Sequence, residues 1–263
     1  MKLICLNIWG GKIHDKLLDF IKQQTQDADI FCFQEVFDSD RKTLLSLNNR
    51  SNNLNEILTI LSDFNYFYFP VIEGEDVRKK VDFPLSFGQA TFVKKSLNVL
   101  KNGDIYTYRS YNKMGLRYAN REPDFPKNFI FCEVEKGNKK FLVLNFHGYW
   151  EPAPKYDTKE RMKQSEMIIS FIRKYGLPAI IAGDFNLAMD TKSVNMFSEN
   201  GFRNLVKESG AKTTRSTYYD YKWRKTDKYA DYIFTSGGIW VNDFKVLSDE
   251  VSDHLPLYLE FNV

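Results

Sequence analysis

Six places along this chain put polar, metal-competent residues where a buried strand stops. "LICLN" ends at Asn7, "DIFCFQE" at Glu35, and "FLVLNFH" at Asn145 and His147. "AIIAGDFN" runs into Asp184 and Asn186, "YADYIF" carries Asp231, and "VSDH" brings Asp253 and His254 just before a last alternating run, "LPLYLEF". Short runs that are apolar on both faces read as strands covered on both sides by other layers. The polar residues then fall at the ends of a rigid scaffold, where functional groups are presented.

The rest of the chain supplies those layers. A strand over Lys2–Asn7 is followed by a helix over His14–Gln26, a strand ending at Glu35, and a helix over Asn53–Phe64. Strands are expected over Tyr66–Ile72, Leu85–Lys95, Asp104–Tyr108, Phe129–Glu135 and Phe141–His147, with Gly-Asn in "EKGNKK" suiting a hairpin turn. The clearest helix runs from Tyr156 to Tyr175. Asp157 is its expected cap, with Glu160 three residues on, Gly176 closing it and Pro178 preventing continuation. "PAIIAGDFN", "YADYIFTS", "IWVNDFKVL" and "LPLYLEFNV" read as further strands. No repeat or linker divides the chain, so residues 1–263 are read as one domain. Strands outnumber helices, and two packed sheets each covered by helices, a four-layer α/β/β/α sandwich, accommodate them. The pattern alone leaves that as one option among several.

Charge excludes little. Lys+Arg 37 against Asp+Glu 34 gives +3, too small an excess to argue for nucleic acid on electrostatics. Cys5, Cys32 and Cys132 sit in apolar runs without zinc-ligand spacing, which reads as buried thiols in a reducing compartment. No signal-peptide pattern follows Met1, and no apolar run approaches the roughly 18 residues a membrane span needs. A soluble, cytoplasmic monomer is expected.

The strand-end residues share a chemistry: carboxylates, amides and imidazoles, with no thiolate. Hard oxygen donors with few imidazoles suit Mg²⁺ or Mn²⁺ rather than zinc, and such a cation commonly serves phosphate chemistry. His254 titrates near neutral pH and can take a proton from water, and a carboxylate behind it would fix its tautomer.

In this order, "LNIWGG", "QEV", "NFHG", "GDFN", "DYIFTS" and "SDHLPL" resemble the endonuclease/exonuclease/phosphatase superfamily, over Asn7 to Leu257. The resemblance implies the α/β/β/α sandwich and in-line attack of water on a phosphate ester, with Mg²⁺ or Mn²⁺ stabilising the phosphoryl oxygens. It implies Glu35 as the principal metal carboxylate with Asn7 beside it, and Asp253 as an auxiliary metal-side carboxylate. Asp184 and Asn186 would position the attacking water and contact metal or phosphate. His254 would be the general base or phosphate-binding imidazole, oriented by Asp231, and His147 a second phosphate-binding histidine with Asn145 on the same side of its strand.

The substrate branch is less defined. "NFHGYW" points away from exonuclease-III-like enzymes, "GDFNLAMD" lacks the arginine typical of inositol polyphosphate 5-phosphatases, and secreted sphingomyelinases would carry a signal peptide. The segment 213–232, "TTRSTYYDYKWRKTDKYADY", interleaves aromatic and cationic residues, which suits stacking on bases or equally a hairpin with cross-strand aromatic pairs. Arg117 and Arg121 are candidate phosphate clamps, and Tyr149 and Trp150 candidate pocket walls. The expectation is a metal-dependent phosphoesterase with a phosphate-ester substrate, nucleic acid slightly preferred. A sphingomyelinase-like or inositol-phosphate enzyme is the alternative. A non-catalytic phosphate- or nucleic-acid-binding module is the reading of a different class.

Overall fold

The apolar runs become strands. A computed structural model of the chain describes residues 1–113, 124–151, 154–220, 222 and 226–263. The first half runs β1 (Lys2–Asn7), α1 (His14–Gln24), β2 (Ile30–Asp38), α2 (Asn53–Ile60), β3 (Phe64–Glu73), β4 (Ser86–Lys94) and β5 (Asn98–Tyr108). It continues with β6 (Lys127–Lys136), β7 (Lys139–His147), α3 (Lys159–Tyr175), β8 (Ala179–Asp184), α4 (Lys192–Glu199), β9 (Arg203–Asn204) and α5 (Leu205–Glu208). The last strands are β10 (Asp231–Thr235), β11 (Trp240–Val246) and β12 (Leu257–Asn262).

They pair into two mixed six-stranded sheets, ordered β11-β12-β1-β2-β4-β3 and β5-β6-β7-β8-β10-β9. Alternation along each strand assigns the layers. In β1 and β2, Ile4, Leu6, Phe31 and Phe33 pack under Leu17, Phe20, Ile21, Leu54 and Ile57 of α1 and α2. Leu3, Cys5, Ile30 and Cys32 point the other way, into a core shared with the second sheet. Ile168, Ile169 and Ile172 of α3 and Phe197 of α4 join the second sheet's side of that core. The expected α/β/β/α order is the observed one. All three cysteines are buried free thiols. Among the described residues, no helix is long and apolar enough to cross a membrane.

Several boundaries differ from the sequence reading, each for a local reason. Thr158, in extended conformation, caps α3 by accepting from Arg161 N, while Asp157 is drawn to the neighbouring helix. There Asp157 accepts from the Lys192 and Ser193 amides at 2.8 Å each, supplementing Thr191, which caps α4. Gly176 closes α3 at φ 79°, as expected. The helix over Asn53–Phe64 ends at Ile60, because Phe64 is already paired in β3. β5 begins at Asn98, six residues before the expected start, since its polar half pairs with β6 in solvent and lacks the apolar signature.

Close approach of strands is required at one place that matters for function. A methyl on Gly183 would lie 1.9 Å from the Phe146 carbonyl oxygen. Glycine there lets β7 and β8 lie in the register that sets His147 beside Asp184.

Candidate active site

Register, not sequence proximity, assembles the polar cluster. β7 and β8 run parallel with His147 opposite Asp184, and β8 and β10 run antiparallel with Asp184 opposite Asp231. Residues in register share a face, so these three side chains form one row at the strand ends, turned towards the first sheet.

The first sheet answers with Asn7 and Glu35. Asn7 is fully buried at the end of β1; its Nδ2 donates to Glu35 Oε1 at 3.0 Å and to Asp184 Oδ2 at 3.1 Å, and its Oδ1 accepts from Trp9 N. Strict alternation along β2 would turn Glu35 towards the helices, opposite to Cys32 and Gln34. A β-bulge between Gln34 and Val36, with Glu35 at φ 59°, re-aims the carboxylate at the cavity. Asn186 is held at φ 54° in the same way, beyond the end of β8. Positive φ in non-glycine residues is a form of strain that clusters at functional sites.

The loop before β12 is pinned under this row. The Ser252 hydroxyl donates to the Asn7 carbonyl at 2.6 Å, which places Asp253 and His254 over the strand ends. His254 Nδ1 lies 2.8 and 2.9 Å from the two oxygens of Asp231. That leaves Nε2 facing Asp184 Oδ2 at 3.7 Å and Asp253 Oδ1 at 3.8 Å, with an Arg215 guanidinium nitrogen in contact with it. In the neutral imidazole, Nδ1–H donates to Asp231 and Nε2 accepts from Arg215. Burial and Arg215 disfavour the imidazolium, but Asp231, Asp253 and Asp184 outweigh them, so the His254 pKa lies above its ordinary value. A neutral base with a stabilised conjugate acid is suited to accepting a proton.

His147 is the opposite case. Its Nε2 is 3.2 Å from Lys127 Nζ and 3.9 Å from both Glu35 Oε1 and Asp184 Oδ2. Burial first, and then Lys127, hold its pKa well below the usual value, so the imidazole is neutral and accepts from the lysine. Burial pushes the Asp184 carboxyl up, yet His254, His147, Arg215 and Lys155 together hold it well below the usual carboxylate range. Burial and the nearby Asp253 raise Glu35.

These groups border a cavity of about 180 Å³. Its polar floor includes Glu35, His147, Asp184, Asn186, Asp253 and His254, and its walls include Trp9, Phe87, Phe125, Trp150 and Tyr219. Three buried cations that the sequence reading did not single out also line it: Lys127, Lys155 and Arg215. Arg215 lies in the aromatic-cationic segment, which among the described residues forms no hairpin. Its Thr214 donates a backbone amide to Lys228 O, Arg215 bridges to His254, and Tyr219 stacks under the guanidinium at 4.2 Å.

Eight of the anticipated residues therefore converge: Asn7, Glu35, His147, Asp184, Asn186, Asp231, Asp253 and His254. Asn145 and Tyr149 do not join them. Asn145 is on the expected face of β7 but two residues deeper, fully buried between the sheets. Its Oδ1 accepts from Gln34 at 2.6 Å and its Nδ2 donates to the Phe33 and Ala90 carbonyls. Tyr149 packs on Tyr108 at 4.5 Å, outside the cavity lining, whereas Trp150 is part of it. Arg117 and Arg121 lie outside the described residues.

A cation could be held here. Asp184, Asp231 and His254 offer atoms all within 4.8 Å of one another. Both Asp231 oxygens are already committed to His254 Nδ1, so the donors left for a metal are Glu35, Asp184 and Asp253, with Asn7 behind them. They fit a hard divalent ion: they are oxygen donors, and the repulsion that raises Glu35 beside Asp253 is what such an ion would relieve.

Comparison with known proteins identifies the family and the fold. The model of the Endonuclease/Exonuclease/phosphatase family matches residues 4–254. A mannosyl-6-phosphatase of Bacteroides thetaiotaomicron has a similar fold, at TM-score 0.70 and 19% identity over 100% of both chains. So does a family protein from Leptotrichia buccalis, at 0.69 and 15% over 100% of both chains. D. rerio TDP2 with a single-strand DNA product matches at 0.65 and 15%, over 100% of this chain and 99% of that one. No curated protein matches the sequence.

Proposed function

The chain belongs to the endonuclease/exonuclease/phosphatase family, whose members are hydrolases acting on phosphate esters, and on that premise we propose that it is a divalent-metal-dependent phosphoesterase, with Mg²⁺ or Mn²⁺ as the ion. The observation that carries this reading is the Asp231–His254 pair aimed at Asp184 beside the Glu35–Asn7 contact. It unites a carboxylate-oriented base and an oxygen-rich cation site within one small cavity.

When bound by Glu35 with Asp184 and Asp253, the ion would supply Lewis-acid stabilisation of charge on a phosphoryl oxygen. The chain's own residues do the rest. His254 Nε2 takes a proton from the attacking water as its oxygen bonds to phosphorus, and Asp231 holds the tautomer that leaves Nε2 unprotonated. The ester P–O bond opposite breaks with its electron pair on the leaving oxygen, which takes a proton from solvent while His254 returns its own to solvent. Lys127, through its own charge and its bond to His147, stabilises charge gathering on the phosphoryl oxygens. Asn186, tied to Lys155 Nζ at 2.6 Å and to the Gly148 carbonyl, keeps its amide at the cavity floor.

The test is a panel: bis-p-nitrophenyl and p-nitrophenyl phosphate, plasmid and single-stranded DNA, RNA, sphingomyelin, and inositol and sugar phosphates, with Mg²⁺ or Mn²⁺ and with EDTA. Turnover abolished by EDTA, and reduced by roughly 10²–10³-fold or more in both Glu35→Ala and His254→Ala, is expected. Activity that survives both substitutions sinks the site assignment. The nucleic-acid preference read from the sequence stands or falls on the DNA and RNA arms. Protein inert on the whole panel but binding nucleic acid in a steeply salt-dependent way would put the non-catalytic binding module first.

A further inference from the structure

Two buried cations in the cavity make no direct contact with a carboxylate of the described residues. Lys155 is 5% exposed and Arg215 is 4% exposed, yet among the described residues neither forms an ion pair with a carboxylate. Lys155 donates to the neutral Asn186 amide oxygen. Arg215 touches the His254 imidazole with one terminal nitrogen and lies over the Tyr219 ring, and its Nε is buried with no hydrogen-bond partner. Asp184, Asp231 and Asp253 favour the charged Arg215 through space, but a buried guanidinium or ammonium whose N–H donors meet no anion directly still lacks the hydrogen bonds that offset its desolvation. Burial, then Arg215, already push the Lys155 pKa down to about 7. The two residues come from unrelated places, the loop between β7 and α3 and the segment before β10, so no shared local structure explains their convergence.

Lys127, 7% exposed at the start of β6, completes the basic side of the cavity. With Lys12, four cationic side chains line the cavity against three carboxylates, Glu35, Asp184 and Asp253, with Asp231 behind His254 as a fourth. A divalent ion on the lining carboxylates would turn that balance positive. A phosphodiester brings one negative charge and two non-bridging oxygens. A phosphomonoester brings close to two charges and a third such oxygen.

We propose that Lys155 and Arg215, with Lys127, form a cradle for the doubly charged terminal phosphate of a phosphomonoester, so that this chain is a phosphomonoesterase rather than a diesterase. The proposal rests on the phosphoesterase reading and specifies its substrate. The third oxygen of a monoester reaches the Lys155–Arg215 corner and takes the guanidinium N–H that otherwise rests on His254, releasing Nε2 towards water. A diester would set an uncharged ester oxygen and its carbon there, leaving buried donors without an acceptor. Sites built to pair with a charged or hydrogen-bonding group reject analogues lacking it far more strongly than apolar pockets do. The cavity's volume of about 180 Å³ and its aromatic walls fit a compact esterified alcohol.

Two measurements test this separately from the phosphoesterase reading. With Mg²⁺ or Mn²⁺, kcat/KM for p-nitrophenyl phosphate should exceed that for bis-p-nitrophenyl phosphate by about 10²-fold or more. Sugar 6-phosphates and 5′-phosphorylated oligonucleotides then distinguish a free phosphorylated alcohol from a nucleic-acid end. A preference for the diester overturns the cradle and leaves the phosphoesterase intact. In EDTA, inorganic phosphate should raise the Tm of the wild-type protein. Lys155→Met should raise Tm without phosphate, by roughly 2–8 °C, and lose most of the phosphate response; Arg215→Lys, which keeps the charge but not the fork, should retain part of it. No phosphate response in the wild type, or an undiminished one in Lys155→Met, overturns the cradle. Phosphate binding through Lys155 without turnover of any ester would keep the cradle and sink the enzyme.

Discussion

His147 and His254 face one cavity and are pushed in opposite directions. Both are buried, and burial alone lowers an imidazole's pKa. His254 has Asp231 behind it and two further carboxylates near its other nitrogen, which together outweigh burial and the Arg215 contact there, and its pKa is raised. His147 meets Lys127 at 3.2 Å, and its pKa is lowered. The difference lies in what a neighbouring strand places next to each ring: β10 contributes a carboxylate to one, and the start of β6 contributes an ammonium to the other. Residue type therefore does not assign the role. On the proposed mechanism the first ring accepts a proton, and the second stays neutral and relays a lysine's charge.

The sharpest way to break this contrast is to remove the carboxylate. Asp231→Asn should lower kcat/KM by roughly 10³–10⁴-fold with little loss of folded protein by circular dichroism, because an amide no longer holds the Nδ1–H tautomer. The Asp231→Asn, His254→Ala double variant should be no worse than His254→Ala alone, since the two act as a unit. Additive losses in steady-state kinetics would mean that Asp231 works independently of the ring.

A smaller effect is expected on the other side. Lys127→Met should cost about 10²-fold in kcat/KM, and NMR titration should find the His147 pKa moved up towards its ordinary 6.5. A ring that stays as depressed as before would show that burial alone sets it, and the contrast with His254 would lose half its basis.

The smallest effects concern stability against pH. The native pKa of His147 lies below the unfolded value of 6.5, so between the two the unfolded chain binds the proton and the native state does not. Its contribution is complete above about 6.5 and is lost as pH falls through the native pKa. His254 is the reverse: its contribution is complete below about 6.5 and is lost as pH rises through its raised native pKa. Calorimetric Tm–pH curves should flatten on the acid side in His147→Gln and on the neutral-to-alkaline side in His254→Gln. Each pKa unit is worth about 1.4 kcal/mol, or roughly 3–6 °C in a chain of this size. The same flattening in both variants would refute the opposed shifts.

Much of this site was legible because strands announce themselves. A run such as "LICLN" or "AIIAGD" is apolar on both faces, so its polar terminus stands out, and the eight residues picked this way do meet, although β2 continues past Glu35 to Asp38 rather than stopping there. Depth was not legible. Asn145 shares a face with His147, as alternation requires, but two residues of rise place it roughly 6–7 Å further into the inter-sheet layer, where it bonds to Gln34. Glu35 reaches the cavity against strict alternation, through a bulge that no pattern in "FCFQEVF" marks. The burial of Lys155 and Arg215 was not legible for a different reason. A lysine in "PAPKYD" looks like a solvated charge, and the aromatic-cationic segment that holds Arg215 does not mark which of its cations turns inward; only packing shows it. α4 did leave a signal, Thr191 as cap and Gly201 beyond its end, which the sequence reading passed over.

By itself the sequence determined the layers and the ordered set of acids, amides and imidazoles, because strand and helix periodicity and the alternation of faces are local properties. Only the tertiary structure decided which charges are buried, which histidine is backed by a carboxylate, and that two buried cations touch no carboxylate among the described residues. Those outcomes depend on neighbours supplied by strands and loops up to 245 residues apart, as in the Ser252–Asn7 contact, and a pKa is set by such neighbours and by exclusion of water rather than by the residue that carries it.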